Sequence, residues 1–532
     1  MDESFISWLS EVSLADANRV GEKAAHLAEL HNKKLPVPNA FVIDPQFFKN
    51  IVSKYYVELE DALSQVTDLQ SSYTAAKQVR AILSKFSLTS EAKDLLLANY
   101  RQINDHPDHE KMSSLTRQLV TAGRDLPFVA IRASPLEATP LLIQSVLNAY
   151  GIEQIVESIR KVIISAFSPQ AIFYRHTKNK SQLDFSIAII VQKMVHAVKS
   201  GDMFTLNPIK NSKSEIYAQV VWGINPNYLT NPSTFVFDKN TLAISESRNV
   251  QQDEYYTKNA QFGEILLEPL PVHLRQVHKL SEGERKALAD LAAQVERIMN
   301  FPQYIEWVVE RNTIQIVQTR PITRIFNKPL VATERGVLLN NASGSGSAVV
   351  VRGKDDLQKL QSDSIIVSSL ASRDVFPYIV QSNGYITSSN SLTSPAAQYC
   401  RDFSIPGIIQ VDDIDHLSDN QEVRFTGQSC EFIQPQQTLA PNSPPQAAQS
   451  YDSSVTTSSV GAELDSIRAQ FDSLARALTE QVSKEAQKRA AGEHTSEDDH
   501  RKSQLMSDLE WQVRNLKKKL DGIQTSERPS QL

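Results

Sequence analysis

Between residues 434 and 458 the chain has almost no side chain able to join a core. The stretch is rich in Pro, Gln, Ser and Thr, a composition that buries too little apolar surface to offset the entropy of ordering a chain. It reads as a disordered linker, and it divides whatever this protein folds into. The part before it is too long for one core, because a chain of 532 residues predicts two to four domains. Two textures are visible there. Residues 1–325 mix helical and strand patterns, which predicts an α/β domain. Residues 330–433 carry short β-branched runs such as Ala348-Val349-Val350-Val351 and Ile365-Ile366-Val367, with few long helices between them. That predicts a second, α+β domain.

Beyond the linker helical periodicity returns. Leu464, Ile467, Phe471, Leu474 and Leu478 form one narrow apolar stripe, and Leu509, Val513, Leu516, Leu520 and Ile523 form another. Residues 492–499 separate the two. A narrow stripe with charged flanks cannot be buried by its own helix. The helices of 459–523 therefore pair either with each other in a hairpin or with another chain as a coiled coil. The linker favours self-association through the coiled coil, because it detaches the helices from the globular part.

Charge narrows the classes of partner. Fifty-five basic against 61 acidic residues leave a formal charge of −6, which gives no electrostatic reason to expect nucleic acid or an anionic membrane. No run approaches the roughly 20 apolar residues of a membrane helix. Met1-Asp2-Glu3-Ser4 shows neither the basic nor the apolar region of a signal peptide. Cys400 and Cys430 are the only cysteines and form no CxxC pair, which argues against a zinc site or a disulfide framework. The simplest expected compartment is the cytoplasm.

Several segments carry chemistry. Val20-Gly21-Glu22-Lys23 is a turn opening an amphipathic helix, and Leu35-Pro36-Val37-Pro38 leads into a strand at Phe41-Val42-Ile43. Alone, Lys23 would be a solvated helix lysine. Phe128-Val129-Ala130-Ile131-Arg132-Ala133-Ser134 is a strand and turn. Ala171-Ile172-Phe173-Tyr174-Arg175 lies on a helix, and Ile187–Val191 is an apolar strand ending in a hinge at Gln192, Lys193, Met194 and Val195. Gly201-Asp202-Met203-Phe204-Thr205 and Trp222-Gly223 follow. Two further short strands contain Tyr304-Ile305-Glu306-Trp307 and Val317-Gln318-Thr319-Arg320-Pro321. In order and spacing these segments resemble the phosphoenolpyruvate synthase / pyruvate, phosphate dikinase family. Ala342-Ser343-Gly344 and the run Leu392–Ile409 resemble that family's swivelling domain, so the resemblance covers residues 15–433.

The resemblance implies an ATP-grasp-like bilobal domain over 1–325, a β/β/α swivelling domain over 330–433, and ATP with Mg²⁺ as ligands. Lys23, Arg132 and Arg320 would be catalytic, gripping and stabilising transferring phosphate, a task suited to the planar, permanently charged guanidinium. The backbone at Gln192, Lys193, Met194 and Val195 would meet the adenine edge. Glu306 and Gln318 would offer hard oxygens to Mg²⁺ between phosphates.

The sequence also departs from the family. Pro395 stands at the phosphohistidine position, and proline has no nitrogen that can carry a phosphoryl group. It does suit a helix start, with Ser394 as N-cap. Ser388-Ser389-Asn390-Ser391 replaces the preceding pair of glycines. No glycine lies between Arg132 and Gln144, where the family has a glycine-bearing phosphate lid, although Glu137 could take the place of its acid. Tyr304 stands where the family has an aspartate, and Gln170 where it has an arginine. The family's C-terminal barrel has no counterpart here. His416 is the only histidine between 330 and 440 and lies among aspartates. The expectation is a nucleotide-binding pseudoenzyme or regulatory module assembled by its coiled coil. An active ATP-dependent phosphotransferase using another acceptor, including a partner protein's histidine, is the alternative, and a ligand-free scaffold is the third.

Overall fold

A computed structural model describes residues 5–104, 126–136, 143–225, 232–258, 265–322 and 330–433, the last without 334, 362, 369–374, 390, 391, 393, 412 and 413. The linker at 434–458 and the helices of 459–523 lie outside the described residues, as does Glu137.

The first sheet contains β1 (Ile6–Trp8), β2 (Ala40–Ile43), β3 (Val129–Pro135), β4 (Val146–Ala149) and β5 (Ile187–Lys193), in the order β1-β2-β5-β3-β4. Side chains alternate across a strand, and this sheet buries both faces. Phe41, Ile43, Ile131, Ile189 and Val191 face one core. Val42, Ala188 and Ile190 face another. The central stretches Phe41–Ile43 and Ile187–Val191 are consequently apolar on both faces. The first core is closed by α2 (Pro45–Lys54), α3 (Tyr56–Ser64), α4 (Leu69–Leu83), α5 (Ser90–Gln102), α6 (Gly151–Ser165) and α7 (Pro169–Thr177).

The helix α1 itself (Ala17–Asn32) belongs to the second core, where Ala24, Ala25, Leu27 and Ala28 pack with a second sheet and with α8 (Glu282–Met299). That sheet contains β6 (Lys199–Phe204), β7 (Glu215–Trp222), β8 (Ser233–Asp238), β9 (Ile244–Arg248), β12 (Gln303–Glu310) and β13 (Thr313–Pro321), in the order β13-β12-β6-β7-β8-β9. The strands β10 (Glu254–Lys258) and β11 (Ile265–Pro269) form a separate hairpin.

Gly21 breaks α1 at a backbone conformation of φ 77° and ψ 153°, which only glycine adopts readily. The break brings the chain against the end of β3, where a Cβ would lie 2.6 Å from the Ser134 carbonyl oxygen. The helix resumes immediately, and Ser134 Oγ accepts from the Ala24 N–H at 3.1 Å. A side chain 110 residues away in sequence thus caps the segment that carries Lys23.

The third sheet has the order β14-β15-β19-β18-β17-β16-β20-β21. Its members are β14 (Ala332–Thr333), β15 (Gly336–Leu338), β16 (Ser343–Val350), β17 (Ile365–Val367), β18 (Gly384–Ile386), β19 (Gly407–Ile409), β20 (Glu422–Thr426) and β21 (Cys430–Ile433). The four strands β16, β17, β18 and β19 pair in parallel. Two short helices, α9 (Phe376–Ile379) and α10 (Pro395–Asp402), accompany them. Ser394 Oγ accepts from the Ala397 N–H at 3.2 Å, and Pro395 is the first residue of α10.

Candidate nucleotide site

The hairpin of β12 and β13 pairs Glu306 with Gln318 and Tyr304 with Arg320. Period-2 alternation puts all four on one face. On its other edge β12 pairs with β6, which sets Asp202 opposite Glu306. Arg132 reaches this face from β3 of the first sheet. Its Nη1 donates to the Val317 carbonyl at 3.0 Å and to Gln318 Oε1 at 3.3 Å, and lies 3.6 Å from Glu306 Oε2. Lys23 arrives from α1. Burial pulls its pKa down to about 8, the nearby Arg320 and Arg132 push the same way, and Glu306 alone opposes them. Lys23, Arg132, Glu306, Gln318 and Arg320 therefore occupy one place, with three cations around Glu306 and with Asp202 opposite it on β6.

The three cations outnumber the carboxylates of Glu306 and Asp202, so the cluster keeps an excess of positive charge that an anion can offset. Tyr304 completes its floor. Its ring lies under the Arg320 guanidinium at 4.5 Å, and its hydroxyl is 3.4 Å from both Asp202 Oδ2 and Glu306 Oε1. Sequence reading singled out Tyr304 as a lost acid but passed over Asp202, which is 1% exposed. The available signal was a carboxylate at an inward position of an otherwise uncharged stretch, Ser200–Phe204.

A cleft leads from this cluster to the hinge. Arg132, Gln192, Lys193, Met194, Val195 and Glu306 all line it. Gln192 is 1% exposed and its Nε2 has no partner, so a donor waits in the wall. The hinge is pinned on both sides, by Met194 N–H to the Phe128 carbonyl at 2.9 Å and Val198 N–H to the Val309 carbonyl at 3.0 Å.

The residues fit a magnesium ion in a limited way. Among the described residues no three His, Cys, Asp or Glu side chains cluster to hold a metal. Glu306 and Gln318 supply two adjacent hard oxygens, which suits an ion that takes one or two protein ligands and the rest from phosphate and water. Pro395 supplies no acceptor at the start of α10. Among the described residues no helix is long and apolar enough to cross a membrane.

Comparison with known proteins agrees with this arrangement. The pyruvate phosphate dikinase AMP/ATP-binding domain family matches residues 17–337, more than half of the chain, and the PEP-utilising enzyme mobile domain family matches residues 360–429. The chain belongs to the phosphoenolpyruvate synthase / pyruvate, phosphate dikinase family. A probable phosphoenolpyruvate synthase of Archaeoglobus fulgidus is 27% identical over 76% of this chain and 54% of its own length. One of Methanocaldococcus jannaschii is 26% identical over 73% of this chain and 33% of its own. The phosphoenolpyruvate synthase of Escherichia coli is 22% identical over 79% and 56%. The chain thus spans between a third and just over half of the length of these relatives. A D-alanine–D-alanine ligase of Helicobacter pylori aligns over 47% of this chain and 62% of its own at 10% identity, with a TM-score of 0.18, too low to carry an argument.

Proposed function

We propose that this protein binds ATP with Mg²⁺ in an ATP-grasp-like cleft and acts as a regulatory or assembly module rather than as a complete dikinase. The observation that carries the reading is the convergence of Lys23, Arg132 and Arg320 on Glu306 and Gln318 at one end of a cleft whose other end is the hinge. Three cations fit a polyphosphate, and Glu306 and Gln318 would hold its metal ion. The metal, when bound, neutralises charge on the phosphates. The chain's own part is to orient them, with Arg132 held in place by the Val317 carbonyl and Gln318. The dikinase cycle needs a covalent carrier on the swivelling arm, and the helix start that would bear it is Pro395.

A second reading is favoured by the completeness of the same cluster. A site that keeps all five side chains close together is equipped for phosphoryl transfer to water, to a small molecule or to a partner protein's histidine. Calorimetry with Mg·ATP, followed by measurement of phosphate and AMP release on the same sample, decides among the readings. Binding without turnover supports the module, turnover supports the second reading, and no binding leaves a scaffold. Self-association through the helices of 459–523, with a protein partner recruited by the assembly, belongs to the same proposal, as does a cytoplasmic location.

A further inference from the structure

A second hollow lies across the first sheet from the nucleotide cleft. The helices α4 and α6 pack on the face that bears Ile131 and Val191, whereas Arg132 and Gln192, one residue on, project from the opposite face and line the cleft. Together with the start of α7, these two helices wall a hollow of about 670 Å³ that opens to solvent. It shares no lining residue with the cleft. The strand β4 separates the two, with Val146 against the hollow and Leu147 against the cleft.

The charge of this hollow is one-sided. Lys77 and Arg80 reach it from α4, Arg160 and Lys161 from α6. Residues three and four apart share a helix face, which gathers the first pair on one face of α4 and places Glu157, Arg160 and Lys161 on one face of α6. Among the described residues Glu157 is the only carboxylate in the lining. It is already paired with Arg160, whose Nη2 also donates to the Phe86 carbonyl at 2.9 Å. Lys77, Arg80 and Lys161 are exposed and have no ion-pair partner among the described residues. The composition of the helices makes this more than a solvated face. The chain as a whole has more acids than bases, 61 against 55, and exposed lysines elsewhere pair with acids, Lys85 with Glu58, Lys93 with Glu153 and Lys359 with Asp356. Yet α4 has no Asp or Glu in its 15 residues, and α7 has none in its nine. Ala76, Ile164 and Pro169, all half-buried, give the hollow an apolar floor.

We propose that this hollow is a second ligand site, built for a small organic phosphate. The phosphate lies among Lys77, Arg80 and Lys161, each able to donate charge-assisted hydrogen bonds to its oxygens. The organic part rests on Ala76, Ile164 and Pro169. Arg160 adds charge from a fixed position, because Glu157 and the Phe86 carbonyl hold its guanidinium. A phosphate suits the place better than a single carboxylate, since it brings more oxygens and up to two negative charges to several cations. A small molecule suits it better than a protein segment, because the surface is concave and its volume falls within the range of about 300–1,000 Å³ of small-molecule sites. Nothing in this inference depends on the nucleotide reading.

The test is site-resolved labelling of the full chain with pyridoxal 5′-phosphate. Its aldehyde condenses with a lysine amine to an imine, with loss of water. Borohydride then reduces the imine to a stable amine, and peptide mass spectrometry locates the adduct. Lys77, Lys161 or both should label about 10-fold faster than Lys49 and Lys286, which are exposed but lie outside the hollow. Pyridoxal, which lacks the phosphate, should label all four alike. Inorganic pyrophosphate should slow labelling in the hollow and leave Lys49 and Lys286 unchanged. Arg80→Ala puts a strong helix former at an exposed position of α4, so it should fold, and it should bring Lys77 and Lys161 down to the rate of Lys49. Label at Lys23 reports on the nucleotide cleft and leaves the hollow out of account. The proposal is overturned if neither Lys77 nor Lys161 labels faster than Lys49. It is overturned equally if their fast labelling is reproduced by pyridoxal, resists pyrophosphate or survives Arg80→Ala, because intrinsic lysine reactivity then accounts for it.

Discussion

At the scale of single residues the site is governed by one lysine held partly against its charge. Free in water a lysine side chain stays protonated to about pH 10.4, whereas burial and the facing Arg320 and Arg132 bring Lys23 down to about 8. A polyphosphate entering the cluster adds negative charge and raises that value again. Between pH 8 and 9 the free protein is partly deprotonated at Lys23 and the complex is not, so binding should take up a proton. Calorimetry of Mg·ATP binding at pH 8.5 in buffers of different ionisation enthalpy should therefore show net proton uptake. The affinity should fall as pH rises through 8. Lys23→Met should abolish the uptake and weaken binding about 10- to 100-fold, the range of a charge-assisted contact; uptake that persists in the variant would assign the proton elsewhere. Lys23 was legible in the sequence by its place after Gly21, but its low pKa was not, because that depends on guanidinium groups contributed by β3 and β13. Asp202 and Tyr304 were opaque for the same reason. Their meeting with Glu306 is a product of the β6–β12 register, which no local pattern specifies.

At the scale of elements the structure turns on two short joints. The first is the break in α1 at Gly21, where φ is 77° and a Cβ would meet carbonyl oxygens of Ser134 and Pro135 at 2.6 and 2.7 Å. A side chain there incurs backbone strain of about 1–3 kcal/mol and the clash as well. Gly21→Ala should accordingly lower stability by at least about 2 kcal/mol in denaturant titration, and it should weaken Mg·ATP binding because Lys23 rides on the displaced turn. A variant as stable as the wild type would mean that β3 can retreat. The second joint is the start of α10. Ser394 caps it and Pro395 opens it, and under the proposed reading the chain has no phosphoryl carrier there. Incubation with Mg²⁺ and ATP labelled at the β-phosphate should leave no acid-labile label on the protein. Stable label that disappears in His416→Ala would place a carrier in the polar loop before β20. The cap at Ser394 and the proline after it were plain in the sequence, since caps are local. The bulge in β4 at Asn148 was not, because it exists only in the pairing of β3 with β4.

At the scale of the whole molecule the strands Ile187–Val191 and Ile365–Val367 show why fold class was legible at all. Both are continuous apolar runs, and both are buried on two faces, the first between two separate cores and the second between two faces of the third sheet. What the runs could not convey is that Phe204, Tyr217 and Tyr304 of the second sheet share a core with Val349, Ile366, Tyr385 and Cys400 of the third. Sequence texture separates residues 1–325 from 330–433, while packing joins them, and Tyr174 on α7 lies edge-on to Phe403 at 5.4 Å. Among the described residues, the buried members of the four cores lie between Ile6 and Cys430. A protein ending at residue 440 should therefore unfold at the same temperature as the full chain, within about 2 °C, and keep its affinity for Mg·ATP. Its mass by light scattering should be that of a monomer, whereas the full chain, if the helices of 459–523 join chains, should give a multiple of 59.5 kDa. Equal oligomeric order with and without the tail would assign those helices to a hairpin within one chain, and a large fall in melting temperature would mean that the tail covers one of the four cores.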